Sequence, residues 1–364
     1  MKNKVIRSIR AIKNNFWIGA AATILAIAGC APKQTRQYES RGSISIPEKA
    51  QRGQAKRRLG KGLAGRHALN PRIKMQGKAK AKEQHTITVW IHGTRFAGSS
   101  DFLRKKVIKN ILYRFYIKKG LHHGTKYKKN SNFRIIAQNL AKQETSRFKS
   151  GNFYIFGWTG ELSIETRKST AKKLHKALVK LMQKYEKKHG VVPKIRLITH
   201  SHGGNVALHF AKVNDKSAEK ITISELILLA CPVQKKTAHL VTSKTFKKIY
   251  SIYSGVDIVQ VLDPQGLHTL SKKKKSIERP FFSERVFTPQ KNLTQVKIKI
   301  NRRSITHLEF ILTRFATLLP HILKEIDDWT KTKSPNTDPQ KQLKLLKIST
   351  GSKKPSFTRK ILKK

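Results

Sequence analysis

The sequence predicts an α/β fold in which a mostly parallel central sheet carries helices on both faces. Short runs rich in β-branched residues recur between Thr86 and Ile300, and helical apolar periodicity fills the intervals between them. Strands separated by helix-length crossovers pair in parallel, since neighbouring parallel strands cannot be joined by a tight turn.

The first strand is Thr86-Ile87-Thr88-Val89-Trp90-Ile91, stopped by His92-Gly93. Four similar runs follow: Phe153 to Phe156, Ile195 to Ile198, Leu226 to Leu229, and Ile249 to Tyr253. Val296-Lys297-Ile298-Lys299-Ile300 alternates apolar with charged residues and reads as a sixth, edge-like strand. The clearest helix has Leu174, Ala177, Leu178, Leu181, Met182 and Tyr185 on one stripe, with Gly190 as its stop. Asp101 to Tyr116, Gly204 to Val213 and Thr237 to Lys248 read as further helices.

The chain of 364 residues holds 78 Lys and Arg against 20 Asp and Glu, a formal net charge of +58. Such a charge attracts polyanions and opposes compaction, so contact with anionic lipid or lipopolysaccharide is expected. Much of the excess is scattered Lys, and no nucleic-acid-binding module is recognisable, so a specific nucleic-acid partner is not expected. The two cysteines, Cys30 and Cys231, exclude a disulfide framework, and Cys231 closes an apolar run as an inert buried thiol.

Four segments follow from composition. Residues 1–29 begin with Lys2, Lys4, Arg7, Arg10 and Lys13, then run through the apolar stretch Phe16 to Ala28, too short to span a bilayer. That stretch ends Leu25-Ala26-Ile27-Ala28-Gly29-Cys30, which resembles the lipobox of bacterial lipoproteins. The resemblance implies a cleaved signal peptide, acyl lipidation of Cys30, and attachment in the bacterial cell envelope. Ala31 after the cysteine implies the outer membrane. Residues 30–84 read as a flexible basic tether, 85–330 as the folded domain, and 331–364 as a basic disordered tail.

Ser201 stands between the strand Ile195 to Ile198 and the helix opening at Gly204, in Thr199-His200-Ser201-His202-Gly203-Gly204. A serine on a sharp strand-to-helix turn presents its hydroxyl at the sheet edge, and small flanking residues must make room for the strained backbone. Gly203 meets that need, whereas Thr199 replaces the usual first glycine. The pattern resembles the α/β-hydrolase superfamily, in particular its serine lipases and esterases, over roughly residues 85–330. The resemblance implies the α/β-hydrolase fold and an oxyanion hole built from the backbone N–H groups of Thr94 and His202. His92 is expected as a hydrogen-bonded scaffold residue, and Trp158-Thr159-Gly160 as part of the pocket lining.

A serine hydroxyl needs a neutral imidazole to take its proton and a carboxylate to orient that imidazole. In this superfamily the order is Ser, acid, His. Asp257 follows the strand ending at Tyr253 and is the first candidate acid, with Asp263 the alternate. His307 follows the sixth strand and is the first candidate base, with His268 and His321 competing. Thr306-His307-Leu308-Glu309 fits a capping box at the start of the last helix. The separations, 56 residues from Ser201 to Asp257 and 50 from there to His307, leave room for a crossover and a return strand.

His200 and His202 raise a metal reading, but no metal-binding motif accompanies them, and neither a metal nor a cofactor is expected. The expected activity is esterase or lipase cleavage of acyl esters at a membrane surface. The segment with Lys272 to Lys275, Phe281 and Phe282 would form a lid or a membrane-facing rim. The competing reading is a non-catalytic envelope lipoprotein that keeps a hydrolase-like fold and binds anionic polymer or lipid.

Overall fold

The computed structural model describes residues 85–94, 115, 117–255, 257, 286–331, 343–352 and 354–362. The lipobox and Cys30, the tether, Asp263, His268, the Lys272–Phe282 segment and, save Phe115, the Asp101–Tyr116 helix lie outside those residues.

Nine strands form one sheet. They are β1 (Thr86–Ile91), β2 (Gly120–His123), β3 (Phe153–Gly157), β4 (Lys194–His200), β5 (Ile223–Leu229), β6 (Ile249–Tyr253), β7 (Leu293–Ile300), β8 (Leu343–Ser349) and β9 (Ser356–Leu362). Their order across the sheet is β2-β3-β1-β4-β5-β6-β7-β8-β9. Among the described residues, only the β2/β3 and β8/β9 strand pairs are antiparallel. From β1 the chain moves to β2 and then β3 on one side, crosses to β4 on the other and continues outward. The order therefore reverses beside β1, and the crevice at the carboxyl ends of β1 and β4 is where an open α/β sheet binds ligands.

Alternation along β1 explains the two layers. Ile87, Val89 and Ile91 pack with Leu174, Leu178, Val206 and Phe210 of α2 (Ile164–His189) and α3 (His202–Asp215). Trp90 faces the opposite layer, where α1 (Asn132–Gln143) and α4 (Thr313–Lys331) contribute Phe133, Ile136, Leu140, Ile322 and Leu323. Burial on both faces accounts for the near-continuous apolar runs of the central strands. Helix α2 starts at Ser163, whose hydroxyl accepts from the Thr166 N–H at 3.3 Å, and stops at Gly190 in the left-handed region, φ 69°.

Several expectations are corrected. The stretch Thr237 to Lys248 holds only a 3-10 turn, Ala238–Thr242, rather than a helix. Backbone bonds from Ile223 to Thr245 (2.8 Å) and from Lys247 to Ile223 (2.9 Å) draw this stretch alongside β5, so tertiary pairing overrides local propensity. Strand β7 is no edge: β6 and β8 flank it, and the half-exposed Lys297 and Lys299 mark a partly covered face. Within the segment expected to be a disordered tail, β8 and β9 form a hairpin that buries Leu345, Leu346 and Ile348. The alternation in Leu343-Lys344-Leu345-Leu346-Lys347-Ile348 carried that signal beneath the lysines; Lys344 itself lies over the Trp329 ring at 5.5 Å. Helix α1 and strand β2 were not anticipated, although Phe133, Ile136, Ala137 and Leu140 have helical spacing.

The α1/α4 layer also encloses an ion cluster. Arg147 bonds to Glu225 at 2.9 Å, to Asp327 at 3.0 Å and to the Tyr250 hydroxyl at 2.9 Å, while Arg196 pairs with the same Glu225. Asp327 also accepts from Tyr250 at 2.7 Å and from Lys248 at 2.5 Å. Burial works to lower the Arg147 guanidinium, but Glu225, Tyr250 and Asp327 outweigh it and hold the charged form firmly in place.

Candidate active site

Ser201 stands between the last residue of β4 and the first of α3, with φ 53° and ψ −133°. A non-glycine residue in that region is strained, and the surroundings hold it there. The Ser201 N–H donates to Leu229 O of β5 at 2.9 Å, and the Gly204 N–H donates to Ser201 O at 2.9 Å. Close approach dictates the flanking glycines: a Cβ on Gly203 would stand 2.6 Å from the carbonyl oxygens of Ile91 and His92, and one on Gly93 would stand 2.6 Å from the Ser201 Cβ. Thr199 is tolerated in place of glycine because its fully buried hydroxyl donates to Ile227 O at 3.2 Å.

A sheet whose strand order reverses beside β1, with a strained serine on the turn from β4 into a buried helix, decides the architecture. The fold is that of the α/β hydrolases.

Hydrolase topology brings Asp257, beyond β6, to the turn beyond β7. Asp257 is fully buried, and His307 Nδ1 donates to its two carboxylate oxygens at 2.9 and 2.8 Å. His307 opens a 3-10 turn, His307–Ile311, rather than the long helix itself; α4 starts six residues later. The expected capping box is present, with Glu309 accepting from the Thr306 N–H at 2.6 Å. Arg303 bonds in turn to Glu309 at 3.0 Å, which fixes the approach to His307. Among the described residues no hydrogen bond joins the Ser201 hydroxyl to His307. His321 lies on α4 and pairs with Gln143 at 3.2 Å, away from this pair.

His92 uses both ring nitrogens. Nδ1 donates to Gly93 O at 2.6 Å, Nε2 accepts from the Trp158 N–H at 3.0 Å, and the Trp158 indole N–H donates to His92 O at 2.7 Å. This locks the end of β3 to the end of β1 and leads the chain into Thr94. His202, directly after Ser201, is 3% exposed, and burial followed by the charge of Arg167 lowers its imidazole to about 3. Burial and the neighbouring His307 hold His200 well below the ordinary range. Both flanking imidazoles are therefore neutral near neutral pH. The sequence offers His200 only as a metal ligand, whereas its Nε2–H donates to the His307 carbonyl at 3.0 Å. Among the described residues no group of three or more His, Cys, Asp or Glu side chains is arranged to hold a metal ion. Cys231 is buried, and its thiol donates to Pro232 O at 3.7 Å.

Residues 125–265 match a family described as "PGAP1-like alpha/beta domain", a span that includes Ser201 and Asp257 and ends before His307. Among curated proteins, no sequence matches the chain. Similar solved structures include XC6422 from Xanthomonas campestris, described as an α/β serine hydrolase without lid. It is 13% identical, with 71% of this chain and 88% of that one covered, at a TM-score of 0.34. The lin2722 product from Listeria innocua is 12% identical, with 70% and 97% covered and a TM-score of 0.32. Est1E from Butyrivibrio proteoclasticus, solved with ferulic acid bound, is 13% identical, with 68% and 92% covered and a TM-score of 0.31.

Proposed function

We propose that this protein is a serine hydrolase that cleaves acyl esters, with Ser201 as nucleophile, His307 as general base and Asp257 orienting the imidazole. The observation that carries the reading is the strained backbone at Ser201, since a buried serine held at φ 53° without a task would be a standing cost of about 1–3 kcal/mol. The Asp257 carboxylate on His307 Nδ1 supports it, leaving Nε2 as the acceptor. In the proposed reaction, His307 Nε2 takes the Ser201 proton as Oγ attacks the ester carbonyl. The negative oxygen of the tetrahedral intermediate falls to the N–H groups of Thr94 and His202, neither of which donates to another acceptor among the described residues. Collapse expels the alcohol, protonated by His307, and water then releases the acid from the acyl-enzyme by the same steps in reverse.

The substrate class follows the envelope reading: an acyl ester or lipid, met at a membrane through lipidated Cys30. Turnover of a p-nitrophenyl ester series from acetate to palmitate tests the activity. The reading expects hydrolysis by the wild type that is lost in Ser201→Ala, and equal rates from both proteins would reject it.

One feature favours the second reading, an envelope lipoprotein that binds anionic polymer or lipid. A groove of about 1140 Å³ near the amino end of β3, away from Ser201, is lined by Lys118, Lys126, Lys184 and Lys188 with Tyr154 and Tyr185. None of those four ammonium groups has a carboxylate partner among the described residues. Salt-sensitive binding to lipopolysaccharide, unchanged in Ser201→Ala and unaccompanied by ester turnover, would favour that reading.

A further inference from the structure

Three segments from distant parts of the sequence meet at His200: the Gly93 loop, the β4–α3 elbow and the turn that carries His307. His200 touches all three. It immediately precedes Ser201 and is 5% exposed. Its Nε2–H donates to the His307 carbonyl at 3.0 Å, and its ring centroid lies 4.7 Å from that of His307 with the planes at 50°. On the other side its Nδ1 closes against the Gly93 backbone, 3.2 Å from where a Cβ would stand. A carbonyl oxygen only accepts, so this contact fixes the His200 proton on Nε2.

We infer that His200 is a positioning residue, whose Nε2–H pins the main chain of His307 at a set distance from the nucleophile. The inference rests on the serine-hydrolase reading. Asp257 restrains His307 at Nδ1 alone, and a ring held at one atom can pivot; the bond to its own carbonyl removes that freedom from the backbone side. A misplacement of about 1 Å at a reacting group costs about 100-fold in rate, so a bond remote from substrate can govern turnover. Burial keeps His200 neutral, with its Nε2 proton committed to the His307 carbonyl and its Nδ1 lone pair against the Gly93 backbone.

Three substitutions separate donor from volume. His200→Gln keeps an N–H at similar reach, His200→Phe keeps a ring without a donor, and His200→Ala removes both. Turnover of p-nitrophenyl butyrate should fall about 30-fold in the Phe and Ala variants with KM within about 2-fold, and His200→Gln should recover most of the loss. A second readout does not depend on turnover: the downfield proton NMR signal of His307 Nδ1–H, assigned by its absence in Asp257→Asn. It should persist in wild type and His200→Gln and broaden away in His200→Phe and His200→Ala, in samples shown to be folded by thermal melts. A role in packing alone would lower the melting temperature and leave the signal and kcat unmoved, which overturns the inference. Should the signal follow the donor while the wild type hydrolyses no ester, the positioning stands and the hydrolase reading falls. Should the wild type hydrolyse ester while the signal ignores the donor, the hydrolase reading stands and the positioning falls.

Discussion

Two acid–base clusters lie along the same sheet, one half-buried and one buried, and their carboxylates have different kinds of partner. In the α1/α4 layer, Glu225 and Asp327 are met by Arg147, Arg196, Lys248 and Tyr250. At the carboxyl ends of the strands, Asp257 meets an imidazole through a single ring nitrogen, beside a strained serine and two neutral histidines. The guanidinium and ammonium partners, with a Tyr250 hydroxyl that burial keeps un-ionised, make the first cluster inert to protons near neutrality. An imidazole partner, whose second ring nitrogen can take up and release a proton, leaves the second free to pass one on.

Breaking each cluster should therefore fail differently. The largest expected effect is on rate: Asp257→Asn should lower kcat for p-nitrophenyl butyrate about 10³-fold or more by releasing the His307 tautomer. Arg147→Met should instead act on stability, by about 1.5–3 kcal/mol in urea unfolding, because Glu225 and Asp327 each lose one of their charged partners while Arg196 and Lys248 remain. Its kcat per folded molecule should change little. If Arg147→Met abolished turnover in folded protein, the clusters would not be separable as described.

Acid should separate the two regions as well. His202, lowered to about 3, and His209, lowered to about 4, both chiefly by burial, sit on the helix after the elbow. Their unfolded values lie near 6.5, so the unfolded chain binds these protons first. Their contribution is complete above about pH 6.5 and is lost as pH falls toward their folded values. Asp327 differs: burial works to raise it, but the bonds from Lys248 and Tyr250 and the charge of Arg147 hold it below its ordinary value. Its contribution is present above about pH 4 and is lost only below that. Urea midpoints measured from pH 7.5 to 3 should fall through both windows, and His209→Gln should flatten the upper one by at most about 1.4 kcal/mol per pH unit. A midpoint unchanged down to pH 4.5 would contradict the upper window.

The smallest effect concerns the departure from the hydrolase motif. Thr199→Gly restores the usual residue but removes the bond to Ile227 O, so it should cost about 1 kcal/mol and leave turnover within about 3-fold.

The sequence revealed one region far better than the other. The places of Ser201, Asp257 and His307 in the fold were legible because local signals mark them: a strand running into Gly203, a carboxylate just past a strand, and a capping box at Thr306 and Glu309. Nothing local announces that Arg147, Glu225 and Asp327 will converge, because their partners are set by strand register and helix packing. Strand β8 was obscured by its lysines, whose stems can cover apolar surface while the charge finds an aromatic face, as Lys344 does on Trp329. The His200 contact was hidden for a related reason, since its acceptor is a backbone carbonyl 107 residues away.

The central claim is that Ser201 is a nucleophile, and labelling of the intact protein by a fluorophosphonate probe tests it most directly. The account predicts that the wild type is labelled and Ser201→Ala is not. Equal labelling of the two folded proteins, or none of the wild type, would contradict it.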